Sequence, residues 1–173
     1  MKKGNTMIRL FCTDVDGVMT DNKIYIGADG ERFKCFNTRD GMALKNILPR
    51  NGIEPAVITG RESAIVRNRC EELGIRKMII NRNDKDNVIR ELAEEMGCTL
   101  EEVSFIGDDL NDLAAMRIAG LTGCPADAVQ EVKDEADYIC RLKGGEGALR
   151  EFAEWVVKRQ AASYSLTIGQ EKE

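Results

Sequence analysis

Histidine is absent from all 173 residues. That absence removes Ser-His-Asp triads, Cys-His dyads and histidine-ligated zinc hydrolysis together. Acid–base chemistry near neutral pH must then come from carboxylates or lysine. The six cysteines (Cys12, Cys35, Cys70, Cys98, Cys124 and Cys140) contain no CxxC pair. Free thiols in a reducing compartment, the cytoplasm, are the expectation, and a zinc site is not. Aromatics are scarce at 5% and the formal net charge is −5, which argues against a nucleic-acid face. No apolar run approaches the roughly 20 residues of a membrane span. Lys2 and Lys3 precede an apolar segment that Arg9 breaks and that runs straight into Asp14, so it fails as a signal peptide. What remains, with 43% apolar and 32% charged residues, is ordinary globular composition at a length suited to one core.

The most informative stretch is 11–21, FCTDVDGVMTD. Met7, Ile8, Leu10 and Phe11 read as a short buried strand, and Asp14 and Asp16 follow at its end. Residues two apart on a strand point the same way, and Gly17 permits a sharp exit. Two crowded carboxylates at the mouth of a buried strand are costly unless a cation or a reaction requires them.

Further along, 23–36 reads as a hairpin around an Ala-Asp-Gly turn. A helix is expected from about Arg39 to Leu48, stopped by Pro49 and Asn51-Gly52. Buried strands follow at 56–58 and 103–106, with a short strand at 77–80, a final strand at 136–139 and a short segment at 120–123. Helices are expected at 63–73, 84–96, 110–119, 126–132 and 147–158. Residues 1–159 thus form one domain, and 160–173 read as a C-terminal tail. Strands alternating with helices predict a doubly wound α/β fold, a parallel sheet with helices on both faces. Ligands in such folds gather beyond the carboxyl ends of the strands. Asp14 and Asp16, Thr59, and Asp108 and Asp109 each follow a buried strand, and Lys85 opens a helix just beyond another.

Four acids sharing one crevice call for a hard divalent cation, and an oxygen-only ligand set favours magnesium. The Thr59 hydroxyl and the Lys85 ammonium are donors suited to phosphoryl oxygens. One carboxylate can attack phosphorus to form an aspartyl phosphate, while the other moves the proton. Each part has a plainer reading by itself: Asp108 to Asp112 as a helix cap, Thr59-Gly60 as a turn, Lys85 as a surface lysine. An EF-hand is excluded, because counting from Asp14 or from Asp108 puts neither Gly at the sixth position nor Glu at the twelfth. Gly144, Gly145 and Gly147 lack the Gly-Lys-Ser/Thr ending of a P-loop and read as a flexible entry to the last helix.

DVDGVMTD, ITGR, Lys85 and GDDLND, in that order, resemble the four motifs of the haloacid dehalogenase superfamily of phosphohydrolases. The resemblance implies Asp14 as nucleophile, Asp16 as general acid/base, and Thr59 and Lys85 as phosphate anchors. Magnesium ligands would be Asp14, the Asp16 backbone carbonyl and Asp108, with Asp109 and Asp112 behind them. The spacings leave no room for a cap domain, so the neighbouring subunit is expected to cover the site, through the hairpin. The lidless pattern, with FNTRDG, NRC and GGEGALRE, is similar to the branch of 3-deoxy-D-manno-octulosonate 8-phosphate phosphatases. That branch implies a homotetramer with subunit-shared sites and a small sugar-acid phosphate as substrate. Gly60, Arg61 and Arg69 are the expected substrate contacts, the two arginines being eight residues and so one helical face apart. A nine-carbon sialic-type substrate stays open, because Glu146 departs from the Arg of some octulosonate enzymes. A phospho-accepting signalling domain and a non-catalytic oligomerisation module are the rivals from other classes. The first lacks its acceptor Asp after the middle strand, and the second would not need both Asp14 and Asp16.

Overall fold

The computed structural model describes residues 6–170; Lys2, Lys3 and the last three residues of the expected tail lie outside the described residues. Strand β1 (Leu10–Thr13) is buried throughout and divides its side chains between two cores. Leu10 and Cys12 join Ala56, Ile58, Val103 and Phe105 on one side, while Phe11 joins Val57 and Ile106 on the other. Burial on both faces explains why this stretch reads as a continuous apolar run and not an alternation.

Parallel strands β4 (Glu54–Thr59) and β6 (Val103–Ile106) flank β1. With β5 (Lys77–Ile80), β7 (Leu121–Cys124) and β8 (Tyr138–Ile139) they form one sheet in the order β5-β4-β1-β6-β7-β8, all parallel. One face carries α1 (Thr38–Met42), α2 (Leu48–Arg50), α3 (Ala64–Leu73) and α7 (Ala148–Gln170). The other carries α4 (Lys85–Met96), α5 (Leu113–Ile118) and α6 (Gln130–Glu135). The doubly wound α/β expectation holds. Strands β2 (Tyr25–Gly27) and β3 (Gly30–Phe33) form a separate antiparallel hairpin, and no cap domain is inserted among the described residues. The chain moves outward from β1 to β5 and then returns to β6 on the other side of β1. The crevice therefore opens beyond the ends of β1 and β6.

Several boundaries differ from expectation for identifiable reasons. The first helix does not stop at Pro49. A π-helical turn, Ala43–Ile47, joins α1 to α2, and the helical course continues to Arg50. The Leu48 N–H bonds the Ala43 carbonyl, and this wider turn accommodates a residue without an N–H. The segment at 120–123 is the full strand β7, and the helix expected at 126–132 starts only at Gln130. The closing helix does not end at Lys158 but runs to Gln170, since no glycine or proline interrupts it before Gly169.

The glycines at 144 and 145 are not a flexible hinge. A Cβ on Gly144 would lie 1.9 Å from the Gly17 carbonyl oxygen, and the Gly145 N–H bonds the Val18 carbonyl at 3.0 Å. The segment is packed directly under the turn that follows Asp16. Glycine serves here for close backbone approach.

Asp40 locks the start of α7 to α1. It is 2% exposed, and its Oδ1 accepts the Arg150 N–H at 2.9 Å. Burial pushes its carboxyl up to about 6, against the opposing N–H groups of Arg150 and Gly147. An acid with a raised folded-state pKa loses stability as pH climbs from its unfolded to its folded value. Asp40→Asn keeps the acceptor and removes that loss. Urea unfolding should show the variant gaining on the native protein by up to about 3 kcal/mol between pH of about 4 and about 6. Asp40→Ala also removes the titration, but without the acceptor it should lie about 1–2 kcal/mol below Asp40→Asn at every pH.

Candidate active site

Asp14 leaves the end of β1 with its N–H bonded to the Ile106 carbonyl at 3.1 Å, which fixes it beside β6. Asp108 follows β6 by two residues, and both carboxylates are 5% exposed. Between them the turn at Gly17 adopts φ +86°, and a Cβ there would fall 1.9 Å from Asp108 Oδ2. Only glycine lets the Asp108 carboxylate lie against this turn. Asn22 Nδ2 donates to the same oxygen at 3.3 Å.

Lys85, the first residue of α4, is fully buried beneath the acids. Its Nζ lies 2.9 Å from Asp14 Oδ1 and 2.6 Å from Asp112 Oδ1. Burial alone would lower this ammonium, but Asp14 and Asp112 together raise it above its ordinary value. The other oxygen of Asp112 accepts the backbone N–H groups of Asp108 at 2.9 Å and Asp109 at 3.3 Å. Asp109 caps the short 3-10 turn Leu110–Asp112 and accepts the Leu110 N–H at 2.7 Å. The cap reading of this segment is thus correct for Asp109 and incomplete for Asp108.

Oxygens of Asp14, Asp108 and Asp112 lie within 4.8 Å of one another. Burial, and then Asp112, push Asp14 up to about 7 against the pull of Lys85. Burial, and then Asp14, Asp112 and Asp109, push Asp108 up to about 8. Three acids around one ammonium leave an excess of negative charge that a cation would relieve. Both Asp112 oxygens are already engaged, so Asp14 and Asp108 are the carboxylates left to hold it. The oxygen-only donor set fits a hard divalent ion.

A cleft of about 190 Å³ opens above these acids, lined by Asp14, Asp16, Thr59, Gly60, Arg61 and Asp108 among others. Asp109 also reaches it. Thr59 is 2% exposed at the tip of β4, and its Oγ1 accepts the Arg61 N–H at 3.2 Å. The Asp16 carboxylate stands apart from the acid cluster and pairs with Lys34 and, at 3.9 Å, with Arg61. Arg69 is not in this cleft. Its guanidinium packs over Phe36 and bonds Glu72 at 2.7 Å. The eight-residue spacing from Arg61 assumed one continuous helix, whereas α3 begins only at Ala64.

Sequence reasoning missed Asn22, Asn83 and Asn111, which also line the cleft. Asn83 carried one signal: a Cβ on Gly60 would lie 2.0 Å from its Oδ1, so the Thr-Gly pair makes room for it. Asn22, at φ 63°, reads in the sequence as an ordinary turn residue.

The profile of the haloacid dehalogenase-like hydrolases matches residues 78–151. The 3-deoxy-D-manno-octulosonate 8-phosphate phosphatase KdsC of Haemophilus influenzae is 36% identical over 156 residues, 90% of this chain and 86% of that protein. The chain belongs to the haloacid dehalogenase-like hydrolases. The Escherichia coli K12 phosphatase of the same name is 40% identical over 153 residues, 88% of this chain and 81% of that protein. Among solved structures, the Moraxella catarrhalis phosphatase in complex with magnesium, phosphate and KDO superposes with a TM-score of 0.85. It is 37% identical, with 94% of this chain and 92% of that one covered. A cobalt-bound form from Haemophilus influenzae gives a TM-score of 0.86 at 37% identity, covering 90% and 91%. Within the family this chain is a phosphoric monoester hydrolase, and the four motifs seen in its sequence meet at one crevice.

Gly17→Ala tests the acid cluster. The added methyl must displace Asp108, so magnesium affinity measured by calorimetry should fall about 10–100-fold. Circular dichroism should stay native. Unchanged affinity would mean that Asp108 is not a ligand.

Proposed function

We propose that this chain is a magnesium-dependent phosphatase of 3-deoxy-D-manno-octulosonate 8-phosphate, acting through an aspartyl phosphate on Asp14. The observation that carries the reading is the buried Asp14–Lys85–Asp112 arrangement with Asp108 alongside, under a cleft open to a phosphate. The names of the relatives, and the magnesium, phosphate and KDO in one of them, support the substrate and the ion.

Asp14, Asp108 and the Asp16 backbone carbonyl would hold magnesium, which supplies positive charge for the phosphoryl oxygens. A carboxylate oxygen of Asp14 attacks phosphorus, and the ester P–O bond breaks as the acyl phosphate forms. Asp16, in its protonated form, gives the proton to the departing sugar oxygen and becomes the carboxylate. Asp16 then takes a proton from water as that water attacks the phosphorus. The acyl P–O bond breaks, inorganic phosphate leaves and the Asp14 carboxylate is restored. Thr59 and Lys85 donate to the peripheral oxygens throughout, and Lys85 also fixes the Asp14 rotamer. Arg61, beside Asp16 at the cleft wall, is the cation offered to the carboxylate of the sugar acid.

Among the described residues no helix is long and apolar enough to cross a membrane, and all six cysteines are free, in keeping with a cytoplasmic site of action. The hairpin leaves Ile24, Ile26 and Phe33 at 45%, 72% and 51% exposure, an apolar surface suited to a second copy of the chain. We propose the homotetramer on that basis.

Asp14→Asn and Asp16→Asn should each reduce phosphate release from the octulosonate phosphate by about 10²–10⁴-fold or more, and chelation of magnesium should abolish it. Full activity in Asp14→Asn would remove the nucleophile assignment. Side-by-side assays should favour the eight-carbon over the nine-carbon sugar-acid phosphate; equal rates would show that the cleft does not select between them. Light scattering should give four chains per particle, and a monomer at micromolar concentration would overturn the shared-site arrangement.

A further inference from the structure

Both oxygens of Asp16 already face cations within the free chain. Lys34 Nζ donates to Oδ1, and Arg61 Nε stands 3.9 Å from Oδ2. Lys34 directly follows β3, between the exposed residues Phe33 and Cys35, yet only 1% of its side chain is exposed. A lysine is seldom buried to this extent unless it is paired. Its second partner is Glu31 Oε1 at 2.9 Å. Glu31 Oε2 accepts the Ser63 hydroxyl at 2.5 Å, and Ser63 in turn accepts the Val66 N–H as the N-cap of α3. Lys34 is thus anchored to the fixed end of a helix as well as to its own hairpin. A desolvated ion pair of this kind adds little net stability, because the cost of drying both charges offsets their attraction. Its effect is on geometry.

We infer that Lys34 is a positioning residue for Asp16: held by Glu31 and Ser63, it keeps the Asp16 carboxylate in one orientation at the cleft wall. The departing oxygen must collect its proton there, so the hairpin contributes to the reaction within its own subunit. The inference rests on the reading of Asp16 as the group that protonates the leaving group.

The test compares two leaving groups at saturating magnesium. A nitrophenolate departs without a proton, whereas a sugar alkoxide does not. The ratio kcat/KM reports the steps up to that departure. Lys34→Met should lower kcat/KM for the sugar-acid phosphate by about 10–100-fold, and that for p-nitrophenyl phosphate less than about threefold. Glu31→Gln, which loosens Lys34 without removing it, should shift the two substrates apart in the same direction by a smaller factor. It decides the matter if Lys34→Met fails to fold. Asp16→Asn is the control. If it shows no selectivity for the leaving group, the reading of Asp16 itself fails. If Asp16→Asn is selective but both hairpin variants slow the two substrates equally, or slow neither, Lys34 is only structural and the inference is overturned.

Discussion

The molecule is built around a charge imbalance in a dry place. Asp14, Asp108 and Asp112 surround a single ammonium, Lys85, at the carboxyl ends of β1 and β6. Lys85 occupies the first turn of α4, where the helix dipole disfavours a cation, so its charge is sustained by the two carboxylates and not by the helix. In return it locks Asp14 in place. Asp112 spends its second oxygen on the backbone of Asp108 and Asp109, tying the β6 loop to the same group. What is left over is negative charge on Asp14 and Asp108, and a site of that kind is organised for a cation before one arrives.

The sheet makes this arrangement possible. Phe11, Val57 and Ile106 on one side, and Cys12, Ile58 and Phe105 on the other, are all fully buried and hold three parallel strand ends in register. Residues just past those ends inherit that rigidity.

This logic is also why so much was legible in the sequence. Asp14, Thr59 and Asp108 each follow an apolar run directly, so strand geometry alone brings them to one rim. Lys85 needed only a helix start beyond β5. Lys34 was hidden, because a lysine between Phe33 and Cys35 in an alternating hairpin looks like the solvent-facing member. Its burial depends on Glu31, Ser63 and Asp16, a meeting of segments that no local pattern records. Arg69 misled for the converse reason: helical spacing was extended back to Arg61, which lies ahead of the helix. The glycines at 144 and 145 carried a signal with two meanings, and only the nearness of Gly17 and Val18 distinguishes close packing from flexibility.

That brace carries a consequence for how the protein comes into being. The loop after Asp16 is synthesised long before Gly144 and Gly145, which support it from below. Asp108 also emerges long after Asp14. A nascent chain therefore carries Asp14 and Asp16 on an unsupported loop until those later segments have emerged, and the reactive constellation closes only when the distant stretches meet.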